Sequence, residues 1–348
     1  MKLPRPAELC CLRGACDGSG IHMTTVNADV REGFTHITMD NGVIRLVVLP
    51  ELGGKITSLV RLASGREFLL SLPGENRAFR RPHYGATFVD YNNVGFDECI
   101  PTIAECRYPE GEHQGAQLPD HGDAWSLPWQ YDTLNEQLSL CVSGRSLPYS
   151  LRKRLTLEGN ELTIEYQLQN RSGSAFHYLW SSHPLLRVEP GDRIVLPPES
   201  GVMLIDSSQG GRLGRKGESC TWPIARLSNG ATDDLSVMKS RGDQSDKLYT
   251  PRLQNGYCGI YYPSTGESIF FRFDVEIVPY VGIWICHGGS GADDPKQPYT
   301  VALEPCGGRP DSLAEAVARG ECPRLLPHAV NEWSLRVTLQ EDSEPPAA

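Results

Sequence analysis

The 348-residue sequence contains no apolar run near the 18 or so residues that a membrane-spanning helix requires. Positive charge is also scarce, because 33 Lys and Arg residues oppose 43 Asp and Glu residues and give a formal net charge of −10. Proteins that bind nucleic acids are usually basic. The N-terminus carries no apolar segment of signal-peptide length. We therefore expect a cytoplasmic protein that binds neither membranes nor nucleic acids.

Several motifs of common enzyme classes are missing as well. The sequence has no G-x-S-x-G elbow, no phosphate- or dinucleotide-binding glycine loop, and none of the spacings H-x-E, H-E-x-x-H or H-x-H. Cys10, Cys11 and Cys16 find no second Cys/His cluster that would complete a zinc site. The 11 cysteines are odd in number and show no disulfide framework. We therefore expect reduced thiols, no bound metal and no organic cofactor.

Alternation of apolar and polar residues is the dominant pattern that is present. It is clearest in residues 161–170, where every second residue is apolar, which predicts a strand with one buried face. Helical periodicity is clear only in residues 310–320, which end on a glycine. The polar, glycine-rich stretch 201–247 predicts long loops or short edge strands.

The number and spacing of these strands predict one domain. Many short strands between residues 33 and 340, with no linker between two apolar cores, indicate a single large antiparallel β domain, a sandwich or a barrel. Glycine (35) and proline (26) are abundant, as expected of a chain with many turns. We expect residues 1–32 and 341–348 to be disordered extensions.

Four segments place ionisable or aromatic residues in apolar surroundings. Such positions are where acid–base or sugar-binding groups are expected. The segments are GFDECIPTI (95–103) with Asp97 and Glu98, DHGDAWSLPW (120–129) with His121, Trp125 and Trp129, WSSHPLL (180–186) with His183, and VALEPCGG (301–308) with Glu304.

Spacing alone leaves the chemistry of these segments open. A glutamate with one or two histidines can carry out general acid–base catalysis. The same residues could equally supply most of the ligands of a zinc site. Asp97 and Glu98 point to opposite faces if their segment is extended. Trp125 and Trp129, four residues apart, fit a core as well as a stacking surface for a sugar ring. Each histidine or glutamate at a strand end also has a structural interpretation, as a hydrogen-bonded or turn-capping residue.

Taken in order, the segments resemble the aldose 1-epimerase (galactose mutarotase-like) family. The resemblance covers roughly residues 33 to 340. It implies a β-supersandwich fold with an active site on one broad face, and an isomerase that interconverts the α and β anomers of free aldoses without a cofactor. The motifs that carry it are NGVIRLVVLPELGGKITSLV (41–60), LRKRLTLEGNELTIEYQLQNRS leading into WSSHPLL, FDVEIVPYVGIWICHGG (273–289) and VALEPCGGRPDSL (301–313).

The resemblance also implies roles for individual residues. Glu304 matches the base that removes the C1 hydroxyl proton, His183 matches the acid that protonates the ring oxygen, and His121 matches the second, sugar-orienting histidine. The arginine that precedes the first histidine in the family has no clean counterpart here, and Arg77, Arg80 and Arg81 lie further upstream. For the family's sugar-binding aspartate the best candidate is Asp246, with Lys247 beside it.

The remaining expectations concern the substrate. We expect the cleft to contain Asp97 or Glu98, with Trp284 or Trp125 as a stacking wall. These mostly neutral and acidic groups predict a neutral free monosaccharide as the small-molecule partner. The alternatives are a non-catalytic carbohydrate-binding protein of the same fold and an epimerase that acts on a sugar phosphate. The protein is expected to be a monomer or a homodimer.

Overall fold

The computed structural model describes residues 23–72, 78–91, 93–288 and 298–342. The expected extension up to residue 22 with its three cysteines, and the last six residues of the expected C-terminal tail, lie outside this range. Within it the chain forms 26 strands, one α-helix and four short 3-10 helices.

The elements have the following bounds. The strands are β1 (Thr25–Arg31), β2 (Phe34–Asp40), β3 (Ile44–Leu49), β4 (Lys55–Arg61), β5 (Arg66–Glu67), β6 (Phe96–Cys99), β7 (Cys106–Arg107), β8 (Gln117–Leu118), β9 (Gln130–Leu134), β10 (Gln137–Ser143), β11 (Tyr149–Glu158), β12 (Glu161–Asn170), β13 (Phe176–His177), β14 (Ser181–Leu186), β15 (Arg193–Val195), β16 (Val202–Ser208), β17 (Ser219–Thr221), β18 (Ile224–Arg226), β19 (Thr232–Asp234), β20 (Ser245–Tyr249), β21 (Tyr257–Tyr262), β22 (Glu267–Phe273), β23 (Tyr280–His287), β24 (Tyr299–Cys306), β25 (Arg324–Leu325) and β26 (Val330–Gln340). The helix is α1 (Leu313–Arg319), and the 3-10 helices are Phe88–Asp90, Gly111–His113, Ala124–Ser126 and Gln209–Gly211.

Two large antiparallel sheets contain most of the strands. The larger sheet has twelve strands in the order β1-β2-β3-β4-β6-β14-β24-β23-β20-β16-β17, with β5 beside β4. The smaller one has eight, in the order β15-β21-β22-β26-β12-β11-β10-β9. One continuous cluster of buried apolar residues joins the two sheets. The prediction of an all-β fold of large antiparallel sheets is confirmed.

The β11–β12 hairpin shows how the sequence pattern builds the core. Residues of β11 and β12 alternate between buried and accessible positions, as the period of two predicts. Their side chains on the buried face include Leu151, Leu155 and Leu168, all with no exposed surface. Full burial of one such side chain stabilises the fold by about 1.5–3 kcal/mol. The hairpin turns at Gly159, whose φ of +53° suits a residue without a side chain.

Two expected boundaries differ from the structure. The domain begins eight residues before residue 33, because β1 pairs along its whole length with β2. Most residues of β1 are exposed, so this edge strand lacks the apolar alternation that marks the others. The helix expected over 310–320 is limited to Leu313–Arg319, and it ends at Gly320 with φ +67° as predicted.

The polar stretch 201–247 also differs from expectation at its two ends. Strands β16 and β20 lie side by side in the larger sheet, and β20 is an interior strand between β16 and β23. Apolar periodicity could not reveal β20, because Asp246 and Lys247 occupy two of its buried positions. The sequence between them does contain the loops and short strands that were expected.

Candidate active site

Adjacent strands of the larger sheet bring a row of side chains onto one face. His183 on β14 is the cross-strand partner of Asp97 on β6. On the next strand, β24, Glu304 lies with its Oε1 3.7 Å from Nε2 of His183. The row continues through Gly282 on β23, which is paired with Glu304 on one side and with Tyr249 on the other. Directly opposed residues share a face, so this row defines one surface of the sheet.

Gly282 leaves the space in which a buried ion pair forms. A Cβ there would lie 3.1 Å from the Tyr249 ring and 3.2 Å from Oε2 of Glu304. In its absence, Nζ of Lys247 reaches across and donates a hydrogen bond to Glu304 Oε2. Lys247 Nζ also lies 3.6 Å from Oδ1 of Asp311, which accepts a hydrogen bond from the Tyr249 hydroxyl. One ammonium group therefore lies between two carboxylates.

A loop above the sheet supplies His121. The residue has a φ of +56°, and its backbone N–H donates to the Ile103 carbonyl at 2.6 Å. Its imidazole stacks on Phe88 with a centroid distance of 4.0 Å, and its Nδ1 lies 2.7 Å from Oδ1 of Asp120. The other oxygen of Asp120 accepts the backbone N–H of Phe88 at 2.8 Å. Asp120 thus holds both the histidine and the ring on which it stacks.

These groups surround a small cavity of about 190 Å³. The two histidine rings meet edge to face, with centroids 5.2 Å apart. Trp284 forms part of the wall, and its indole Nε1 donates to Ser245 Oγ at 2.9 Å. The lining residues are Phe88, Val89, Asn93, Ile103, His121, His183, Ser207, Lys247, Trp284, Glu304 and Asp311.

Burial and neighbouring charges shift the ionisation of the central pair. Burial raises the pKa of Glu304, and the Lys247 ammonium opposes that rise. Burial lowers the pKa of His183 well below its ordinary value, and the nearby His121 and Lys247 lower it further. Burial also disfavours the Lys247 cation, but the carboxylates of Asp311 and Glu304 outweigh this effect and raise its pKa. The unliganded site therefore favours a charged lysine and a neutral His183.

Only one of the two carboxylate oxygens of Glu304 accepts a hydrogen bond from the described residues. Oε2 accepts the hydrogen bond of Lys247, while Oε1 has no hydrogen-bond partner among the described residues. Nδ1 of His183 likewise has none there. A buried polar atom without a partner is unfavourable unless a ligand or water completes it. The free Oε1 beside His183 is thus positioned to exchange a proton with a molecule in the cavity.

The structure brings together five of the residues that the sequence indicated. They lie around the cavity as its lining: His121, His183, Lys247, Trp284 and Glu304. Asp97 lies beside them in the sheet, opposite His183, but it is fully buried and ion-paired with Lys55. Burial raises the pKa of Asp97, and Lys55 opposes that rise.

Three expected sugar contacts lie elsewhere. Glu98 is on the opposite face of β6, between the sheets, where it accepts hydrogen bonds from Lys153 at 3.1 Å, Tyr166 at 2.9 Å and Trp180 at 3.1 Å. The alternation along β6 therefore separates it from its neighbour Asp97, and it does not line the cavity.

Asp246 and Trp125 are the other two expected sugar contacts that do not line the cavity. Asp246 points away from its neighbour Lys247 and is bound by Arg212 and by Ser208 Oγ, the latter at 2.7 Å. Trp125 is buried behind Phe88, with ring centroids 5.0 Å apart. Of the two tryptophans, Trp284 lines the cavity and Trp125 does not; a stacking wall at Trp284 stays a prediction.

Some lining residues were not indicated by the sequence as site residues. Phe88 begins a short 3-10 helix and Asn93 lies in an irregular segment, and neither stretch has a periodic pattern. Asp311 lies two residues before α1, and its carboxylate faces Tyr249 and Lys247. The motif 301–313, which contains both Glu304 and Asp311, was the signal that could have placed Asp311 near the site.

Within the described ranges, no group of three or more His, Cys, Asp or Glu residues is arranged to hold a metal ion. In the same part of the chain, no helix has the length and apolar character that crossing a membrane would need.

Comparisons with known proteins agree with this architecture. A family model described as aldose 1-epimerase matches residues 35–208, which is 174 of the 348 residues. Comparison with curated protein sequences returned no match.

Solved structures with a similar fold cover nearly the whole chain. A galactose mutarotase-like protein from Clostridium acetobutylicum has a TM-score of 0.67 at 13% identity, covering 91% of this chain and 99% of its own. The Slr1438 protein from Synechocystis sp. PCC 6803 has a TM-score of 0.65 at 17% identity, covering 90% and 97%. A galactose mutarotase-like protein from Lactobacillus casei has a TM-score of 0.58 at 16% identity, covering 88% and 100%. At these identities the likeness is one of fold, and it agrees with the predicted supersandwich.

Proposed function

Since the chain belongs to the aldose 1-epimerase family, we propose that it is an isomerase that interconverts the α and β anomers of a free aldose by general acid–base catalysis. In this proposal Glu304 is the base, His183 is the acid, and His121 hydrogen-bonds and orients the sugar. The observation that carries it is the free Oε1 of Glu304, 3.7 Å from Nε2 of His183 in the cavity.

The reaction needs two proton transfers, one from O1 and one to O5. Glu304 Oε1 takes the proton from the C1 hydroxyl, the C1–O5 bond breaks as the C1=O1 carbonyl forms, and His183 gives a proton to O5. Rotation about C1–C2 exposes the other carbonyl face. Ring closure then reverses both transfers and yields the other anomer. Each proton transfer by a positioned group typically contributes about 10²–10⁴-fold to the rate.

The electrostatics of the site favour these transfers. Ring opening converts an ionised Glu304 and a protonated His183 into a protonated Glu304 and a neutral His183. Burial raises the pKa of Glu304 and lowers that of His183, so the pair that starts the reaction is a minor protonation state, and the same two shifts drive both proton transfers once that state has formed. The Lys247 ammonium opposes the rise in the Glu304 pKa and thereby favours the ionised carboxylate that acts as the base.

The cavity supports a single neutral sugar ring as substrate. The cavity volume is about 190 Å³. Its ammonium group, Lys247, is already paired with the carboxylates of Glu304 and Asp311. Trp284 provides an apolar wall suited to the C–H face of a pyranose. A phosphate dianion would meet more negative than positive charge and lacks an arginine partner in the lining.

The test is a polarimetric assay of freshly dissolved α-anomers. We expect Glu304→Gln to lose about 10²-fold or more of the catalysed rate, equal to roughly 3 kcal/mol of barrier. Glu98→Gln is the matched control, because Glu98 is as deeply buried but faces away from the cavity. A Glu304→Gln rate within threefold of wild type, on a sugar that the wild type turns over, would exclude Glu304 as the base.

A substrate comparison separates this proposal from its alternatives. Glucose, galactose and glucose 6-phosphate are compared by saturation kinetics, and we expect the free sugars to be preferred. A tenfold tighter interaction with the phosphate would instead indicate a sugar-phosphate epimerase. Sugar binding without any rate acceleration by the wild type would indicate a non-catalytic carbohydrate-binding protein.

A further inference from the structure

Asn93 is an unsatisfied amide inside the cavity. It lines the same space as Glu304 and His183, and only 7% of its surface is exposed. Neither its Oδ1 nor its Nδ2 has a hydrogen-bond partner among the described residues. Buried amides normally have such partners, because the loss of water is not otherwise compensated. Both ends of the Asn93 amide are therefore open to a ligand.

The backbone that follows Asn93 is held firmly against the sheet. The Val94 carbonyl accepts a hydrogen bond from Lys55 Nζ at 2.8 Å, and Lys55 is ion-paired with buried Asp97. The Gly95 N–H donates to the Leu70 carbonyl at 2.9 Å. A Cβ at Gly95 would lie 2.6 Å from the Ile56 carbonyl oxygen, so the backbone runs directly against β4. Asn93 is thus presented from an anchored position, which reduces the entropy lost when it binds a ligand.

The chemistry of an amide selects the kind of ligand group. Its Nδ2 donates and its Oδ1 accepts, and a sugar hydroxyl, or two neighbouring hydroxyls, can satisfy both. A carboxylate or phosphate only accepts, so it would leave Oδ1 facing another lone pair. An apolar group would leave both atoms unpaired. The open amide therefore matches a polyhydroxylated, uncharged ring.

We propose that Asn93 is a specificity-determining residue that hydrogen-bonds a ring hydroxyl other than O1 and so decides which aldoses the site accepts. The inference rests on the proposed function, in which Glu304 and His183 serve O1 and O5 and leave the other hydroxyls to other groups. Sites built to hydrogen-bond a hydroxyl reject an analogue that lacks it, because the site's own polar group is then left unpaired. The same logic predicts that the discrimination which depends on Asn93 concerns one ring position.

The test compares an accepted aldose with its 2-, 3- and 4-deoxy analogues. We expect the wild type to discriminate against one analogue by at least about tenfold in kcat/KM. In Asn93→Ala and in the apolar, similarly sized Asn93→Leu, this discrimination should fall to within threefold, while the preferences at the other positions persist. Unchanged discrimination in both variants overturns the inference. An equal loss on all four sugars, which is what a structural role predicts, also overturns it.

A binding measurement keeps this outcome distinct from that of the proposed function. A 1,5-anhydroalditol has no anomeric hydroxyl and cannot mutarotate, so its calorimetric titration reports recognition alone. If this compound and its deoxy analogue bind with an affinity ratio that Asn93→Ala abolishes, the inference stands even if the protein catalyses no mutarotation. If Glu304→Gln abolishes catalysis while Asn93→Ala leaves the affinity ratio unchanged, the proposed function stands and the inference is wrong.

Discussion

Removing the Lys247 ammonium would test the ionic arrangement around Glu304 most directly. In Lys247→Met, the buried carboxylate of Glu304 and the partly buried carboxylate of Asp311 lose the cation between them. At the 3.6 Å separation of Lys247 Nζ and Asp311 Oδ1, two unit charges interact by ~4–5 kcal/mol at an effective dielectric constant of 20. Breaking a buried ion pair by removing one partner typically costs about 3–5 kcal/mol. We therefore expect the free energy of unfolding at pH 7.5 to fall by about 3–5 kcal/mol.

The sign of the pH dependence follows from the pKa of Glu304. Burial raises this pKa above the ordinary value of 4.5, and Lys247 is the group that opposes the rise. In Lys247→Met the folded-state pKa is therefore higher still. A raised folded-state pKa means that stability is retained below the unfolded value and lost as the pH increases through the folded one. The stability deficit of the variant should be small near pH 4.5 and grow toward alkaline pH.

Urea denaturation of wild type and variant at several pH values measures this deficit. The double variant Lys247→Met/Glu304→Gln replaces the uncompensated carboxylate by a neutral amide of the same shape, and it should recover part of the lost stability. In the polarimetric assay, the acidic limb of the kcat/KM profile of Lys247→Met should move to higher pH, because Glu304 must be ionised to act as a base. A deficit that is independent of pH and is not reduced in the double variant would refute this account of the pair.

Two further predictions concern the loop that holds His121. Gly122 has φ +74°, and a Cβ added to it would lie 2.0 Å from the Ile100 carbonyl oxygen. Gly122→Ala should therefore destabilise the protein by about 2–6 kcal/mol in the same denaturation assay, of which backbone strain contributes about 1–3 kcal/mol and overpacking about 1–3 kcal/mol. A loss below 1 kcal/mol would contradict the close packing. Phe88→Ala removes the ring on which His121 stacks at a centroid distance of 4.0 Å. We expect kcat/KM to fall by about tenfold or more, because the position of the histidine is then less well fixed. An unchanged kcat/KM in a folded variant would show that the stacking does not orient the histidine.

The strand content and the order of the motifs could be predicted from the sequence. β12 coincides with the alternating residues 161–170, because a half-buried strand needs an apolar residue at every second position. Gly320 ends α1 in the left-handed conformation that glycine tolerates. The segments of His121, His183 and Glu304 stood out because each places a polar residue in apolar surroundings, which soluble proteins reserve for paired or functional groups.

Only the tertiary structure decided which of the neighbouring charged residues meet in the cavity. Asp97 and Glu98 are adjacent, yet they lie on opposite faces of β6, with Lys55 and Lys153 as their respective partners. From the sequence it follows that the two side chains lie on opposite faces of an extended strand, but not which of these faces lies toward the site. That depends on which side of the larger sheet packs against the smaller one, and this is determined by the burial of the whole apolar cluster.

The same limit applies to residues that come together from distant parts of the chain. Asn93, Lys247 and Asp311 line one cavity although more than 200 residues separate the first from the last. Asn93 and Asp311 lie in irregular segments, where no period links a side chain to a face. On β20, the period distinguishes Lys247 from Asp246 only once pairing with β16 and β23 is known. Strand periodicity is a local property of the chain, whereas strand order and loop placement result from long-range packing. The sequence by itself therefore determined most of the elements, and the tertiary structure decided the composition of the site.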